Sequence, residues 1–81
     1  MRLPRDVSGT QLANLLTKYS YEITRQAGSH LRLTTQECGE HHITIPIHKD
    51  LRVGTLKAVL TDVADHLGIN CNDLIESLFG K

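Results

Sequence analysis

The sequence predicts an α+β fold: a helix, a three-stranded antiparallel sheet, a second long helix and a short terminal helix, with the helices on one face of the sheet. Three observations carry this. Apolar residues recur with helical period over residues 12–19 and again over 56–67. Between those runs hydrophobicity switches to period two in three short segments separated by glycine-containing turns. Each helical run has a single apolar stripe, so both must cover the same side of a sheet whose other side stays polar.

The first helix has a well-marked start. Ser8 can cap it, Gln11 completes a capping box, and Val7 and Leu12 stand at the two ends of a hydrophobic staple. Leu12, Leu15, Leu16 and Tyr19 form its stripe, and the helix should end near Tyr19 or Ser20. Tyr21 and Ile23 then alternate with Glu22 and Thr24. After the turn Ala27-Gly28-Ser29, Leu31 and Leu33 alternate with His30, Arg32 and Thr34. After a turn containing Gly39, Ile43 and Ile45 alternate with His42 and Thr44. The alternation predicts Tyr21, Ile23, Leu31, Leu33, Ile43 and Ile45 facing the helices. It leaves Glu22, Thr24, His30, Arg32, Thr34, His42 and Thr44 on the wet face. Pro46 ends the third strand, since proline cannot donate to the ladder.

A loop with His48, Lys49 and Arg52 leads to the second helix, which starts near Gly54 and buries Leu56, Val59, Leu60, Val63 and Leu67. Gly68 fits the position just past its end. Asn70 caps the last short helix, with Asp73 in the first turn favouring the positive end of its dipole. Leu74, Ile75, Leu78 and Phe79 dock it on the core. This layout is that of double-stranded RNA-binding domains, an analogy of fold that does not establish a function.

Length and composition bound what such a chain can do. Its 81 residues suffice for one domain spanning 1–81 and leave little room for a deep cleft, so chemistry must sit on a surface or in a shallow groove. Neither a bilayer-spanning apolar run nor the apolar stretch of a signal peptide is present, which predicts a cytoplasmic protein with no membrane partner. Cys38 and Cys71 then read as free thiols. The formal net charge is zero, which counts against nucleic-acid binding, yet it is unevenly distributed. Residues 1–57 hold eight Lys/Arg and five Asp/Glu, a net of +3, and residues 58–81 hold one and four, a net of −3. The basic excess falls on the sheet, although three charges carry little weight by themselves. Arg2, Arg5, Lys18 and Lys57 read as solubility charges.

His30 stands out on chemical grounds. RNA brings its own nucleophile, the 2′-hydroxyl, so an enzyme that cuts it need only move protons and stabilise charge on phosphorus. Histidine, with an ordinary pKa near ~6.5, suits either proton task. His30 follows a Gly-Ser turn where a phosphate can approach closely, Arg32 shares its face, and Arg25 and Lys49 are candidates to lie nearby in space. The same pattern fits an ordinary exposed strand residue. Cys38, His41, His42 and His48 match no standard zinc framework, and the adjacent His41 and His42 must point to opposite faces. No metal or cofactor is therefore expected. His66 reads as a solvated residue near a helix C-terminus.

Four ordered blocks also carry a family resemblance. Arg25-Gln26-Ala27-Gly28-Ser29-His30 resembles the R-Q-x-G-S-H signature of the HicA (YcfA-like) toxins. Ile43 to Lys49 resembles their I-T-V-P-x-H strand and loop, Leu51 to Leu56 their L-x-x-G-T-L segment, and Leu3 to Gly9 their opening. Ser20 departs from the pattern, standing where a glycine is usual, and the 36–41 turn is this chain's own. The resemblance implies a toxin of a type II toxin–antitoxin system with a double-stranded-RNA-binding-domain-like fold. It further implies a metal-independent endoribonuclease that cleaves mRNA with His30 as its catalytic residue and is neutralised by a HicB-like antitoxin. Arg25, Gly28, Ser29, Arg32 and Lys49 are the residues expected to contact RNA. The alternatives are a non-catalytic RNA-binding module or a protein-interaction module.

Overall fold

The computed structural model describes residues 3–80; Arg2 lies outside them. Helix α1 spans Gly9–Leu16 and runs into a 3₁₀ turn over Thr17–Tyr19. Strands β1 (Glu22–Ala27), β2 (His30–Thr35) and β3 (His41–Pro46) follow, then α2 (Val53–Leu67) and α3 (Cys71–Phe79). The strands form an antiparallel meander in the order β1-β2-β3, so β1 and β3 are the edges. This is the predicted α-β-β-β-α fold with its extra terminal helix.

Local signals act as expected. The Ser8 hydroxyl accepts from the Gln11 amide at 3.0 Å and the Gln11 side chain accepts from the Ser8 amide at 2.9 Å, closing the capping box. Helix α2 ends at Gly68, left-handed at φ 70°, with the Ile69 amide bonded back to the Ala64 carbonyl at 3.0 Å. The Asn70 side chain caps α3 through the Asn72 amide. Lys18, read as a solubility charge, instead donates to the Ser77 carbonyl at 3.0 Å, and the Tyr19 hydroxyl donates to the Ser77 hydroxyl at 2.8 Å; both tie α3 to the end of α1. Ser20 takes a left-handed φ of 67°, which glycine enters without strain. That is the physical sense of the glycine usual at this place.

The core lies between the helices and one sheet face. Leu12 and Leu16 of α1, Leu31, Leu33, Ile43 and Ile45 of the sheet, and Leu56, Leu60 and Val63 of α2 are all buried there with Tyr21. Ile23 departs from its expected burial and is 51% exposed. It pairs with Leu33 and so lies on the helix side, but β1 is an edge that the helices do not fully cover.

One irregularity shapes the wet face. The two-residue turn Gly28-Ser29, with Gly28 left-handed at φ 58°, fixes Ala27 opposite His30. Tyr21 is fixed in the core. Six steps separate Tyr21 from Ala27, so unbroken alternation would put both on one face. A β-bulge between Ile23 and Arg25 absorbs the mismatch and turns both Thr24 and Arg25 onto the wet face.

Candidate active site

His30 opens β2 and projects from the wet face beside the hairpin turn. Its direct cross-strand neighbours are Ala27 on β1 and Pro46 on β3. Neither carries a side-chain polar group, and both are small, so the imidazole stands clear. Two residues along β2, Arg32 lies directly opposite Arg25 and, on its other side, Thr44. Arg25, Ala27, His30, Arg32 and Thr44 together line a shallow pocket of about 190 Å³.

The electrostatics of this pocket are one-sided. Like charges directly across an antiparallel pair are destabilising, and Arg25 and Arg32 form such a pair. No carboxylate lines the pocket. Among the described residues the ion pairs are His41 with Asp62 and His42 with Glu40, so neither arginine is neutralised there. The guanidinium donors are left to solvent, in the planar arrangement that suits a phosphate.

The other predicted contacts are placed less centrally. Gly28 and Ser29 form the turn beside His30. The Ser29 carbonyl accepts from the Ile47 amide, which ties the turn to the loop after β3. Gly9 braces the same loop: its amide donates to the His48 carbonyl at 3.0 Å, and a Cβ added there would run into the Pro46 carbonyl oxygen. Lys49 lies on that loop, exposed, two residues past Ile47, and does not line the pocket.

The remaining histidines do different work. His41 and His42 do point to opposite faces. On the wet face a polar row crosses the sheet. Thr24 Oγ1 lies 2.9 Å from Thr34 Oγ1, Thr34 Oγ1 lies 2.8 Å from His42 Nδ1, and His42 Nε2 lies 2.7 Å from Glu40. On the helix side, His41 Nδ1 is 2.8 Å from the buried Tyr21 hydroxyl and its Nε2 is 3.2 Å from Asp62 of α2. His66 is not solvated as expected. It stacks on His41 with ring centroids 4.3 Å apart, and its Nε2 donates to the Glu37 and Gly39 carbonyls at 2.9 and 3.0 Å. Burial, helped by the nearby Asp62 and Glu37 carboxylates, pushes the Tyr21 hydroxyl up to about 12. Cys38 and Cys71 are free thiols, and among the described residues no group of three or more His, Cys, Asp or Glu side chains is placed to hold a metal ion.

Sequence reading missed two features of the pocket. Ala27 was legible only as a turn residue, although its small size is what exposes His30. Arg25 should face the helices by simple alternation, and only the parity conflict between Tyr21 and the hairpin turn signals that it does not.

Among the described residues no helix is long and apolar enough to cross a membrane. No curated protein and no solved structure matches the chain significantly. A family model described as the HicA toxin of bacterial toxin-antitoxin matches residues 9–64, which run from the first residue of α1 through the whole sheet and into the last turn of α2. With that match lying over more than half of the 81 residues, the chain belongs to the HicA toxin family of bacterial toxin–antitoxin systems.

Proposed function

We propose that this chain is an endoribonuclease toxin that cleaves mRNA, with His30 as its single catalytic side chain. The observation that supports the reading best is the cross-strand pair of unneutralised arginines, Arg25 and Arg32, sharing one shallow pocket with an unobstructed histidine. Such a pair is unfavourable in the free protein and favourable once an anion lies between its members.

The chemistry follows from the substrate. The arginines hold the scissile phosphate and offset the charge that grows on its oxygens. The His30 imidazole takes the proton of the 2′-hydroxyl as the 2′-oxygen attacks phosphorus. The bond from phosphorus to the 5′-oxygen breaks, and that oxygen takes up a proton. The products are a 2′,3′-cyclic phosphate and a 5′-hydroxyl. Gly28 and Ser29 let the RNA backbone approach closely, and Lys49 adds positive charge at the rim. The nucleophile is internal to the RNA and the cations are side chains, so no metal is required.

The test is single-turnover cleavage of RNA by wild type and by His30→Ala, with circular dichroism to check folding. Loss of cleavage in the folded variant is expected. Wild-type-like cleavage from it would remove His30 from the mechanism, and RNA bound but left uncut by the wild type would make the chain a non-catalytic binding module.

The same pocket suggests how the toxin is silenced. A HicB-like antitoxin would cover the wet face at His30 and offer carboxylates to Arg25 and Arg32. A complex in which His30 stays open to solvent while cleavage is still blocked would contradict this.

A further inference from the structure

A second depression lies on the sheet and is larger than the His30 pocket, at about 570 Å³. Thr17, Ser20, Glu22, Thr24, Thr34 and Gln36 supply its polar lining. Its character is the opposite of the first. No lysine or arginine lines it, and its one charged side chain is the Glu22 carboxylate. A phosphate is repelled there. Hydroxyls, an amide and a carboxylate instead form a surface for reading hydrogen-bond donors, and the volume falls in the range typical of small-ligand sites.

The position of the groove ties it to the pocket. His30, Arg32 and Thr34 follow one another on the same face of β2, so Thr34 in the groove stands about 13 Å along the strand from His30, and Thr24 brings the groove's edge back to the level of Arg32. An RNA strand with its scissile phosphate at His30 and Arg32 that runs along β2 toward Thr34 would bring a nucleotide near the cut over this groove. Glu22 lies directly across from Thr34, and Thr34 is held in place by Thr24 and by His42, which Glu40 anchors. The hydroxyl row therefore presents a fixed floor with Glu22 on its rim.

We propose that this groove is a base-recognition subsite, which takes the base of a nucleotide flanking the cut and favours bases that carry an amino group over uracil. The proposal rests on the ribonuclease reading above. Its chemistry is that of the Glu22 carboxylate, which only accepts hydrogen bonds, and of the Gln36 amide, which accepts and donates. Adenine, cytosine and guanine each offer an amino group at the edge a single-stranded RNA leaves free. Uracil offers two carbonyl oxygens around one N–H, and those oxygens meet the carboxylate unfavourably.

The experiment is cut-site sequencing on a single-stranded RNA pool randomised around the cut, with wild type, Glu22→Gln and Gln36→Ala. Wild type should disfavour uracil at one flanking position by roughly five- to a hundredfold. Glu22→Gln, which can donate to a uracil carbonyl, should shrink that bias to a fewfold, and Gln36→Ala should weaken it less. Equal use of all four bases by the wild type, or an unchanged bias in both variants, overturns the subsite while leaving His30 cleavage standing. A binding measurement separates the two ideas further: NMR titration of folded His30→Ala protein with oligo-adenosine and oligo-uridine. Larger amide shifts at Glu22, Thr34 and Gln36 with oligo-adenosine support the groove even if the wild type proves unable to cut RNA. Equal shifts with the two oligomers refute it.

Discussion

The two ends of the sheet use histidine in opposite ways. At the hairpin end His30 faces solvent between Ala27 and Pro46, near two arginines that no described carboxylate neutralises. At the other end His41 is bonded through both ring nitrogens, to Tyr21 and Asp62, and His66 stacks on it while donating to two backbone carbonyls. His41, partnered at both ring nitrogens, links β3 to α2, and His66 ties the 36–40 turn to the same helix; the bonds of the His41 ring are satisfied internally and leave nothing for a ligand. An imidazole with no such partners, set among uncompensated cations, stabilises the fold little and keeps its bonding capacity for a substrate. This difference is what favours His30 over His41 as the reactive histidine of the proposed function.

Substitution at each end should give mirror-image results. His30→Ala should lower the cleavage rate by about 10²–10⁴ while changing stability by within ~0.5 kcal/mol, as surface substitutions usually do. His41→Ala should do the reverse. It leaves the buried Tyr21 hydroxyl without its acceptor and removes the stack on His66, a loss of roughly 1–3 kcal/mol measurable by urea denaturation. Cleavage per folded molecule should be retained. If His41→Ala instead abolishes cleavage at full stability, the division between the two ends is wrong.

A pH titration sharpens the structural side. Tyr21 is raised to about 12 in the folded protein, above the usual phenol value near ~10 in the unfolded chain. The folded state therefore favours the protonated hydroxyl. Its contribution is fully present below pH ~10 and is lost as pH rises toward 12. Stability should fall across that interval, and the fall should be weaker in Tyr21→Phe; an equal fall in that variant would locate the alkaline transition elsewhere.

The smallest effect is expected at the arginine pair. Arg32→Ala removes one of two like charges facing each other across the strands, so thermal stability should hold or rise by about 0.2–1 kcal/mol. RNA binding should weaken, and its dependence on the logarithm of salt concentration should become shallower by about one unit. A stability loss with unchanged RNA binding would mean that Arg32 belongs to the scaffold.

Much of this arrangement is legible in the sequence because it is local. The Ser8–Gln11 box, the Gly68 stop and the alternation of β2 and β3 each follow from residues within a few positions of one another. What escapes a linear reading depends on coverage and register. Ile23 alternates correctly yet is exposed, since period alone does not say how far two helices reach across an edge strand. His66 finds its partners 27 and 29 residues away, and no local pattern records that. His30 is visible as a candidate from the Gly-Ser turn before it, whereas the company of Arg25 depends on a bulge.

That bulge makes strand length in β1 as consequential as residue identity. Between the buried Tyr21 and the tight Gly28-Ser29 turn the chain carries one residue more than regular pairing needs. Deleting Thr24 would restore an unbroken ladder with Arg25 still across from Arg32, at the loss of the Thr34 contact. Inserting a residue would make the separation of Tyr21 and Ala27 odd, which keeps the two on opposite faces without a bulge but slides Tyr21 two positions along β2, away from His41. Shortening β1 by one residue therefore keeps both the pocket and the Tyr21 anchor, whereas lengthening it by one keeps the facing of the pocket residues but loses that anchor.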